Sequence, residues 1–367
     1  MTAEQDVQAR SFKCDSCGAQ LAFDAASGKL KCGHCGATTD VAAGQGQVVE
    51  HDYFAGLDGQ PHGLGVTVRV HRCNECGAHV SFPERITATT CTFCGSPHVL
   101  EQDENQNALR PESLLPFAVD RRAANDAFAR WLRGLWFRPN DLRHLARVEE
   151  LAGVYVPFWS YDADVIARWR ADRGYHYYTE EEYTTQENGQ EVRKQRRIQH
   201  TRWEPAWGRR HDSYDDVLVC ASRGLPADLA SHLKTFDTHR LVPYAPGYLA
   251  GWRAEEYAVS LREGWSEARE HIERQEQSRC ARDVGGDTHR NLSYDCEYRR
   301  ITYKHLLLPL WLAAYRYRGK VYRFLVNGQT GEVVGKAPWS VAKLSLFIGL
   351  MAALVALIVA LALLLRN

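Results

Sequence analysis

Eight of the eleven cysteines fall into two sets with identical spacing. Each set contains two Cys-x2-Cys pairs separated by fourteen residues, and a glycine follows every pair. Such a pair points two thiolates at one centre, and the glycine permits the left-handed backbone that the turn requires. The predicted metal ligands are Cys14, Cys17, Cys32 and Cys35 in the first set and Cys73, Cys76, Cys91 and Cys94 in the second.

The two sets are copies of one sequence motif, since an offset of 59 residues also aligns Phe23 with Phe82 and Gly36 with Gly95. Four thiolates in tetrahedral geometry suit zinc, with rubredoxin-type iron as the alternative. Segments of about thirty residues are too small to fold on an apolar core alone, so metal binding would supply folding energy. Because protein fills all four positions, we expect two structural Zn²⁺ per chain. Free or disulfide-linked cysteines are the opposing interpretation.

The two segments resemble zinc ribbons, including those of transcription factors and bacterial replication helicases, and such ribbons often bind nucleic acid. Between residues 13 and 40, however, three lysines oppose three aspartates, and between residues 71 and 100 two arginines oppose two glutamates. The whole chain contains 45 Lys+Arg and 45 Asp+Glu. Since phosphate contacts dominate nucleic-acid affinity, neutral ribbons argue against a nucleic-acid partner and favour a protein-docking or structural role.

The C-terminal segment differs from the rest of the chain. Residues 344–365 contain no charged residue, and as a helix they would span about 33 Å, enough for a hydrocarbon core of about 30 Å. Trp339, Lys336 and Lys343 match the aromatic and basic collar of a membrane interface. We predict a single-pass tail anchor in the inner cell membrane, with the body in the cytoplasm, where thiolates stay reduced. A buried core helix is the alternative.

The remaining chain must hold these features in place, and its pattern predicts an α+β fold with a mostly antiparallel body. Six glycines between residues 44 and 65 favour a linker between the ribbons. We divide the chain into a flexible N-terminus (1–12), zinc ribbon 1 (13–40), a Gly-rich linker (41–70), zinc ribbon 2 (71–100), a polar linker (101–112), the α+β body (113–338) and the transmembrane anchor (344–365).

Three helices and two long hairpins are predicted in the body. Asp120 can cap a helix with Phe128 and Leu132 on its buried face, Asn140 can cap another, and a third spans residues 254–282. The turns Asn188-Gly189 and Arg318-Gly319-Lys320 each join two strands. The basic run Arg193, Lys194, Arg196 and Arg197 would face Glu180, Glu181 and Glu182 across the first turn. This pattern favours a solvated strand face, with phosphate or lipid-headgroup binding as the alternative.

An aliphatic-Pro-aromatic phrase recurs at Pro116, Pro157, Pro243 and Pro309, which is typical of edge strands that enter a core. An aromatic ligand-binding box is the alternative. Three further cysteines, Cys220, Cys280 and Cys296, are expected to be small buried hydrophobes, with redox sensing as the alternative. The sequence contains no P-loop, no H-E-x-x-H motif and no nucleophile elbow, so we predict that the protein is not an enzyme.

The whole chain resembles the bacterial tail-anchored TFIIB-type zinc ribbon proteins, often labelled primosomal protein N' or superfamily II helicase-like. The resemblance rests on the ribbons, the anchor and the phrases Val156-Pro157-Phe158-Trp159, Tyr248-Leu249-Ala250-Gly251-Trp252 and Asn327-Gly328-Gln329-Thr330-Gly331-Glu332. The likeness to helicases covers only the ribbons. Some family members are linked to phage-shock-type envelope stress systems, which implies SPFH-like or PspA-like protein partners.

We therefore expect a zinc-binding, cytoplasm-facing membrane adaptor or scaffold that docks protein partners, with a role in the envelope stress response implied by the resemblance. The alternative is a nucleic-acid-binding accessory protein of replication or of a helicase. A third hypothesis is an unrecognised enzyme within the α+β body. The neutral charge of the ribbons favours the adaptor over the nucleic-acid-binding protein.

Overall fold

The structure, a computed structural model, describes most of the 367 residues. The described residues are 12–42, 44, 48–57, 69–82, 91–94, 96, 99–102, 109–143, 151–187, 190–225, 227–230, 233, 236–317 and 320–364. The predicted turn residues Asn188, Gly189, Arg318 and Gly319 lie outside these ranges, as does the predicted flexible N-terminus except for Phe12.

Two β-sheets contain the strands. The small sheet has the order β1-β2-β3 and consists of β1 (Leu21–Asp24), β2 (Lys29–Cys32) and β3 (Thr38–Thr39). The large sheet has twelve strands: β4 (His51–Asp52), β5 (Arg69–Cys73), β6 (His79–Phe82), β7 (Val99–Gln102), β8 (Ser113–Leu114), β9 (Ala152–Glu187), β10 (Gln190–Cys220), β11 (Val242–Pro243), β12 (Arg253–Glu255), β13 (Thr288–Tyr317), β14 (Lys320–Asn327) and β15 (Val333–Gly335). Among the described strand pairs, only β12–β9 and β13–β8 are parallel, which confirms the mostly antiparallel α+β fold.

The described helices are few and mostly short. The α-helices are α1 (Tyr53–Leu57), α2 (Arg121–Gly134), α3 (Ala227–Ala230), α4 (Leu261–Val284) and α5 (Val341–Leu364). Short 3₁₀ helices lie at Asn140–Arg143, Thr238–Arg240 and Pro246–Leu249. The predicted cap of α2 is confirmed, because the Asp120 carboxylate accepts a hydrogen bond from the Ala123 N–H (2.7 Å) and Phe128 and Leu132 are buried. For the helix predicted after Asn140, residues 144–150 lie outside the described ranges.

Strands β9 and β13 form the centre of the large sheet, and their segments 154–158 and 306–313 are buried on both faces. Along β13, Leu307 and Trp311 belong to one core cluster, whereas Leu306, Leu308 and Leu310 belong to another. Because successive side chains of a strand point to opposite faces, the two clusters lie on the two sides of the sheet. This double burial explains why residues 306–313 form an almost continuous apolar run instead of alternating with polar residues.

Two of the recurring prolines lie in the centre of the sheet, so the edge-strand expectation was wrong for Pro157 and Pro309. Pro157 lies in β9 between the residues that pair with β10 and those that pair with β12. Pro309 lies in β13 between the residues that pair with β8 and those that pair with β14. A proline has no N–H to donate, so it fits at the point where a strand exchanges one neighbour for another.

Strands β9, β10 and β13 extend well beyond the core. With 36 residues, β9 has a length of about 115 Å at roughly 3.3 Å per residue. At the same level, β-bulges interrupt β10 between Tyr214 and Val217 and β13 between Arg299 and Thr302. Paired bulges bend and twist the strands at this level. We call the part beyond the bulges, residues 164–213 and 288–299, the arm.

Helix α4 packs along the arm. It begins at Leu261 and not at residue 254, because residues 253–255 are taken up by β12 and Ser260 forms a capping box with Glu263. Its buried stripe includes Leu261, Ala268 and Ile272, and the last two are fully enclosed. Polar contacts also hold this face of α4 against the arm. The Tyr214 hydroxyl donates to the Glu276 carboxylate (2.5 Å). Arg210 forms an ion pair with Asp283 (2.5 Å), and Arg279 forms one with Asp212 (2.7 Å).

Part of the predicted Gly-rich linker packs on the body. Strand β4 pairs with β13, and the Tyr53 side chain is buried against the rings of Tyr161 and Trp265. The second four-cysteine segment also joins the large sheet, since β6 pairs with β12. The domain boundaries stay a prediction, but these two segments are continuous with the body's core.

Helix α5 confirms the apolar C-terminal helix and begins at Val341, three residues before the predicted start. It has 24 residues, a mean hydropathy of 3.0 in its most apolar window, and no buried residue. By length and composition it is the one described helix that could cross a membrane.

Candidate metal centres

One backbone hydrogen bond is common to all four Cys-x2-Cys pairs. In the turns that begin at Cys14, Cys32 and Cys73, the N–H of the first cysteine donates to the carbonyl oxygen five residues later, and the following glycine's N–H donates back to the cysteine's carbonyl oxygen. The fourth turn keeps the first of these bonds, from Cys91 to Ser96 (2.7 Å). The glycines of the first three turns have φ between 72° and 75°, a conformation that other residues rarely adopt.

These turns bring the predicted ligands together in two groups. We call Cys14, Cys17, Cys32 and Cys35 cluster 1, and Cys73, Cys76, Cys91 and Cys94 cluster 2; within each, the sulfur atoms lie within 4.8 Å of one another. The nearest sulfur pairs are Cys14–Cys35 (3.6 Å), Cys17–Cys32 (3.5 Å), Cys73–Cys94 (3.5 Å) and Cys76–Cys91 (3.7 Å).

These separations fit a shared metal ion and not a disulfide. Four sulfurs at about 2.3 Å from a tetrahedral zinc lie about 3.8 Å from one another, whereas a disulfide bond is about 2.05 Å long. All eight cysteines are free thiols. Each cluster is therefore geometrically able to hold a metal ion, and with four protein ligands such an ion would have no open position for a substrate.

Local hydrogen bonds favour the thiolate at two of the sulfurs. The backbone N–H groups of Cys35 and His34 lower the pKa of Cys32 to about 6. The Cys76 thiol, together with backbone N–H groups, lowers the pKa of Cys91 to about 5. Other sulfurs are shifted the opposite way: the hydrogen bond with Cys91 raises the pKa of Cys76, and burial raises the pKa of Cys94 to about 11. Since metals bind the thiolate and not the thiol, the turns prepare only some of the sulfurs in each cluster for metal binding near neutral pH.

Cluster 1 is partly exposed and rests on one segment of the body. Cys17 and Cys35 face solvent, whereas Cys14 and Cys32 are buried. Phe23, in the adjacent strand β1, receives a hydrogen bond on its carbonyl oxygen from the Trp252 indole N–H (2.8 Å). The Phe23 N–H donates to the carbonyl oxygen of Ala250 (2.9 Å). Trp252 also stacks on Phe117 (ring centroids 3.9 Å apart), which connects cluster 1 to the core.

Cluster 2 is enclosed within the body. Cys73, Cys91 and Cys94 are buried, and the neighbouring strand β6 pairs with β12. Arg253 donates to the Thr92 hydroxyl (2.8 Å), so the same short segment that holds cluster 1 continues into contacts with cluster 2. On the other side, Gly224 lies so close that a Cβ there would be 2.6 Å from the Ala78 Cβ and 2.9 Å from the Phe93 ring.

The two clusters lie on opposite faces of the large sheet. Cys14 and Phe23 belong to the same apolar core as Leu307 and Trp311. The second core contains the buried cysteines of cluster 2 together with neighbours such as Leu308. The sequence copies therefore occupy two different environments, which their identical spacing does not distinguish.

The remaining three cysteines belong to neither cluster, although Cys220 packs against the same core as cluster 2. Cys280 is buried under the arm, and burial raises its pKa to about 11 and that of Cys296 to about 12. Burial also raises the pKa of Cys220. These thiols are protonated at neutral pH. Only Cys280 is fully buried as the sequence predicted, whereas Cys220 and Cys296 are half-buried.

The structure also contains an acidic group that the sequence pattern did not indicate. Carboxylates of Glu50, Asp162 and Asp215 lie within 4.8 Å of one another. The ammonium of Lys304 lies among them, 3.2 Å from Glu50, 3.8 Å from Asp162 and 2.9 Å from the Asp216 carboxylate. A lysine that is 8% exposed among these acids compensates part of their charge, which gives the group a structural role. Glu50, Asp162 and Asp215 are more than 50 residues apart in the sequence, so no local sequence pattern could indicate that they lie together.

Comparison with known proteins finds one relative over most of the chain. Over 245 residues the sequence is 28% identical to "Uncharacterized protein YdjG" of Bacillus subtilis (strain 168), and the alignment covers 66% of this chain and 68% of that protein. No family model matches the chain, and no solved structure matches it.

Proposed function

We propose that the protein is a zinc-binding, membrane-anchored adaptor or scaffold whose body faces the cytoplasm and docks protein partners. The observation that carries this proposal is the attachment of the exposed apolar helix α5 to the body. An adaptor needs a fixed membrane attachment and large accessible surfaces, and it needs no catalytic group.

The start of α5 is held by the loop after α2. The Lys343 ammonium donates to the carbonyl oxygen of Trp136 (3.0 Å), and the Ser340 N–H donates to that of Phe137 (2.8 Å). The guanidinium of Arg138 lies 3.9 Å from the centre of the Trp339 ring. Tryptophan and basic side chains are typical of the membrane interface, so this contact would hold the body at the bilayer surface.

Zinc is the metal that we assign to both clusters. The four-sulfur donor sets and their separations suit its tetrahedral preference, and it has no redox chemistry that would require a partner. In this proposal the ions supply folding energy to segments that otherwise have small cores.

The arm and the exposed side of cluster 1 are the surfaces that we propose for protein partners. Trp207 is 76% exposed and Tyr177 is 50% exposed on the arm, where large aromatic side chains are available as contact anchors. The family resemblance implies SPFH-like or PspA-like partners and a role in the envelope stress response. The same resemblance implies that the anchor lies in the inner membrane. The lysines that flank the helix on the side of the body support a cytoplasmic body.

Nucleic-acid binding remains the competing function, and enzymatic activity has the least support. Binding of DNA or RNA would require a basic surface, but the cysteine segments are neutral in charge. An enzyme would need an available acid or base, but the buried carboxylate of Glu276 beside the arm is used in a structural hydrogen bond with Tyr214.

Crosslinking in intact cells, followed by purification of the full chain in detergent and mass spectrometry, tests the adaptor. We expect membrane-associated SPFH-like or PspA-like proteins to crosslink to it. A matched variant in which an unrelated apolar helix replaces residues 344–364 should keep these partners, because the body and not the anchor docks them. Nanomolar, sequence-preferring binding of DNA that requires the cysteines would overturn the adaptor in favour of the nucleic-acid-binding protein.

A further inference from the structure

The outer end of the arm is a hairpin to which no third strand pairs among the described residues. Strand β13 pairs with β9 only as far as Thr288 opposite Gly174. Asp287 then closes this edge, since its N–H donates to the Gly174 carbonyl oxygen (2.9 Å) and its carboxylate accepts from the His176 N–H (2.7 Å). Beyond this point, in the part of the chain that the structure describes, residues 177–187 and 190–200 pair only with each other. We call these two segments the distal hairpin.

Both strands of the distal hairpin therefore have a free edge. Main-chain groups of a strand point to alternate sides, and the N–H of His176 points away from β10. The N–H groups of Tyr178, Glu180 and Glu182 consequently lie on the free edge of β9. Such an edge is a template for another strand, and a two-stranded hairpin alone is only marginally stable in water.

The two edges carry opposite charge. Glu180, Glu181 and Glu182 lie on the β9 strand, and the facing β10 strand carries the predicted basic run, with Arg197 opposite Glu180 and Arg196 opposite Glu181. Arg196 already forms an ion pair with Glu181 within the hairpin (2.6 Å). Both of these side chains remain more than half exposed, so each can accept a second partner of opposite charge.

We propose that the distal hairpins of separate copies join edge to edge, with the acidic β9 edge of one copy paired to the basic β10 edge of the next. The sheet would continue in antiparallel order, and the pairing inside the hairpin could repeat between copies. Arg196 would then lie between two Glu181 side chains, one from its own chain and one from the neighbour.

The charge pattern selects this pairing over the two symmetric ones. Joining two β9 edges would place the three glutamates against glutamates, and joining two β10 edges would place arginines against arginines. Like charges on directly opposed residues destabilise a strand pair. Since the favoured contact uses different edges of each copy, it does not end with a dimer, and it generates a ring or a filament.

The test measures the mass distribution of the full chain in detergent by analytical ultracentrifugation at low and high salt. We expect species larger than the monomer at low salt and their loss at high salt, because exposed charge pairs are screened. Glu180→Pro removes an N–H on the free edge and leaves the bonds to β10 in place, so it should abolish these species. The matched control Glu180→Ala should retain them.

Charge exchange tests the specificity of the contact. A variant with Glu180, Glu181 and Glu182 changed to Lys should be monomeric, as should one with Arg193, Arg196 and Arg197 changed to Glu. An equimolar mixture of the two should form large species again, and so should one chain carrying both sets of changes. The proposal would be overturned if the unmodified chain were entirely monomeric at low salt. It would also be overturned if the large species persisted in Glu180→Pro.

Discussion

Clusters 1 and 2 have the same cysteine spacing and share a backbone hydrogen bond in each turn, but they differ in how the body uses them. Cluster 1 has its own three-stranded sheet and two solvent-exposed cysteines. Cluster 2 has three buried cysteines, and the strands beside it belong to the twelve-stranded sheet. The comparison teaches that the spacing determines the local arrangement of the four sulfurs, whereas the surrounding contacts determine how each cluster joins the rest of the fold.

One short segment links the two clusters. Residues 246–252 contact cluster 1 through the backbone of Ala250 and the indole of Trp252, and residues 253–256 join β6 beside cluster 2. Because this segment also pairs with β9, a disturbance at cluster 2 reaches the central strands directly. Cluster 1 pairs with no strand of the large sheet in the described residues, so a disturbance there reaches the central strands through side-chain packing, such as that of Trp252 on Phe117.

The largest expected effect follows loss of a ligand from cluster 2. Cys91→Ser should lower the free energy of unfolding of the whole body by about 5 kcal/mol, in the range that loss of a structural metal produces. Thermal unfolding followed by tryptophan fluorescence measures this change. Cys280→Ser is the matched control, since it alters a buried cysteine outside the clusters, and it should keep both metal ions. An unchanged unfolding midpoint in Cys91→Ser would show that cluster 2 does not support the body.

A pair of glycine substitutions compares the contacts between each cluster and the body. Gly224→Ala would press a Cβ against Ala78 and Phe93 and should destabilise the body by about 1–3 kcal/mol. Gly251→Ala is strained by its φ of 78° and meets Ala22 at 2.7 Å, but the strain lies at the surface of cluster 1. It should loosen cluster 1, seen as faster proteolysis near residue 22, with a smaller shift in the body's unfolding midpoint. Equal shifts in both variants would remove the distinction between the clusters.

The pH dependence of the body's stability is expected to depend on one buried histidine. His305 is buried against Trp159, and burial lowers its pKa to about 4. Because the unfolded chain binds this proton near pH 6.5, stability should fall as the pH drops from 6.5 towards 4, by about 2 kcal/mol between pH 7 and pH 5. In His305→Gln this part of the pH dependence should disappear in urea unfolding at the two pH values. If the unmodified chain and His305→Gln showed the same pH dependence of stability, the role assigned to His305 would be wrong.

The smallest effect on the body is expected at an exposed ligand of cluster 1. Cys17→Ser should release the metal of cluster 1 and lower the body's free energy of unfolding by much less than Cys91→Ser does, because Cys17 is exposed and the strands beside cluster 1 form a separate sheet. Metal content and unfolding are measured on the same sample. If the body unfolds as readily as in Cys91→Ser, the clusters are equivalent and the structural contrast has no energetic consequence.

Local features of the fold could be predicted from the sequence, and long-range ones could not. The eight cysteines, the Asp120 cap and the pairing of the basic and acidic strands around residues 188–189 follow from short spacings. The start of α4 was misplaced because Ala254 pairs with β6, about 170 residues earlier in the chain. The phrase Tyr248–Trp252 was noticed in the sequence, but its contact with cluster 1 depends on tertiary packing that no local pattern encodes.

Metal analysis of the full chain tests the central claim most directly. Elemental analysis of the protein purified in detergent should give two zinc ions per chain, and X-ray absorption should show four sulfur ligands at about 2.3 Å around each. Cys14→Ser and Cys73→Ser should each leave one ion. Two zinc ions in the unmodified chain and one in each variant are the predicted result. Iron in place of zinc would contradict the metal assignment, and fewer than two ions per chain would contradict the account of the two clusters.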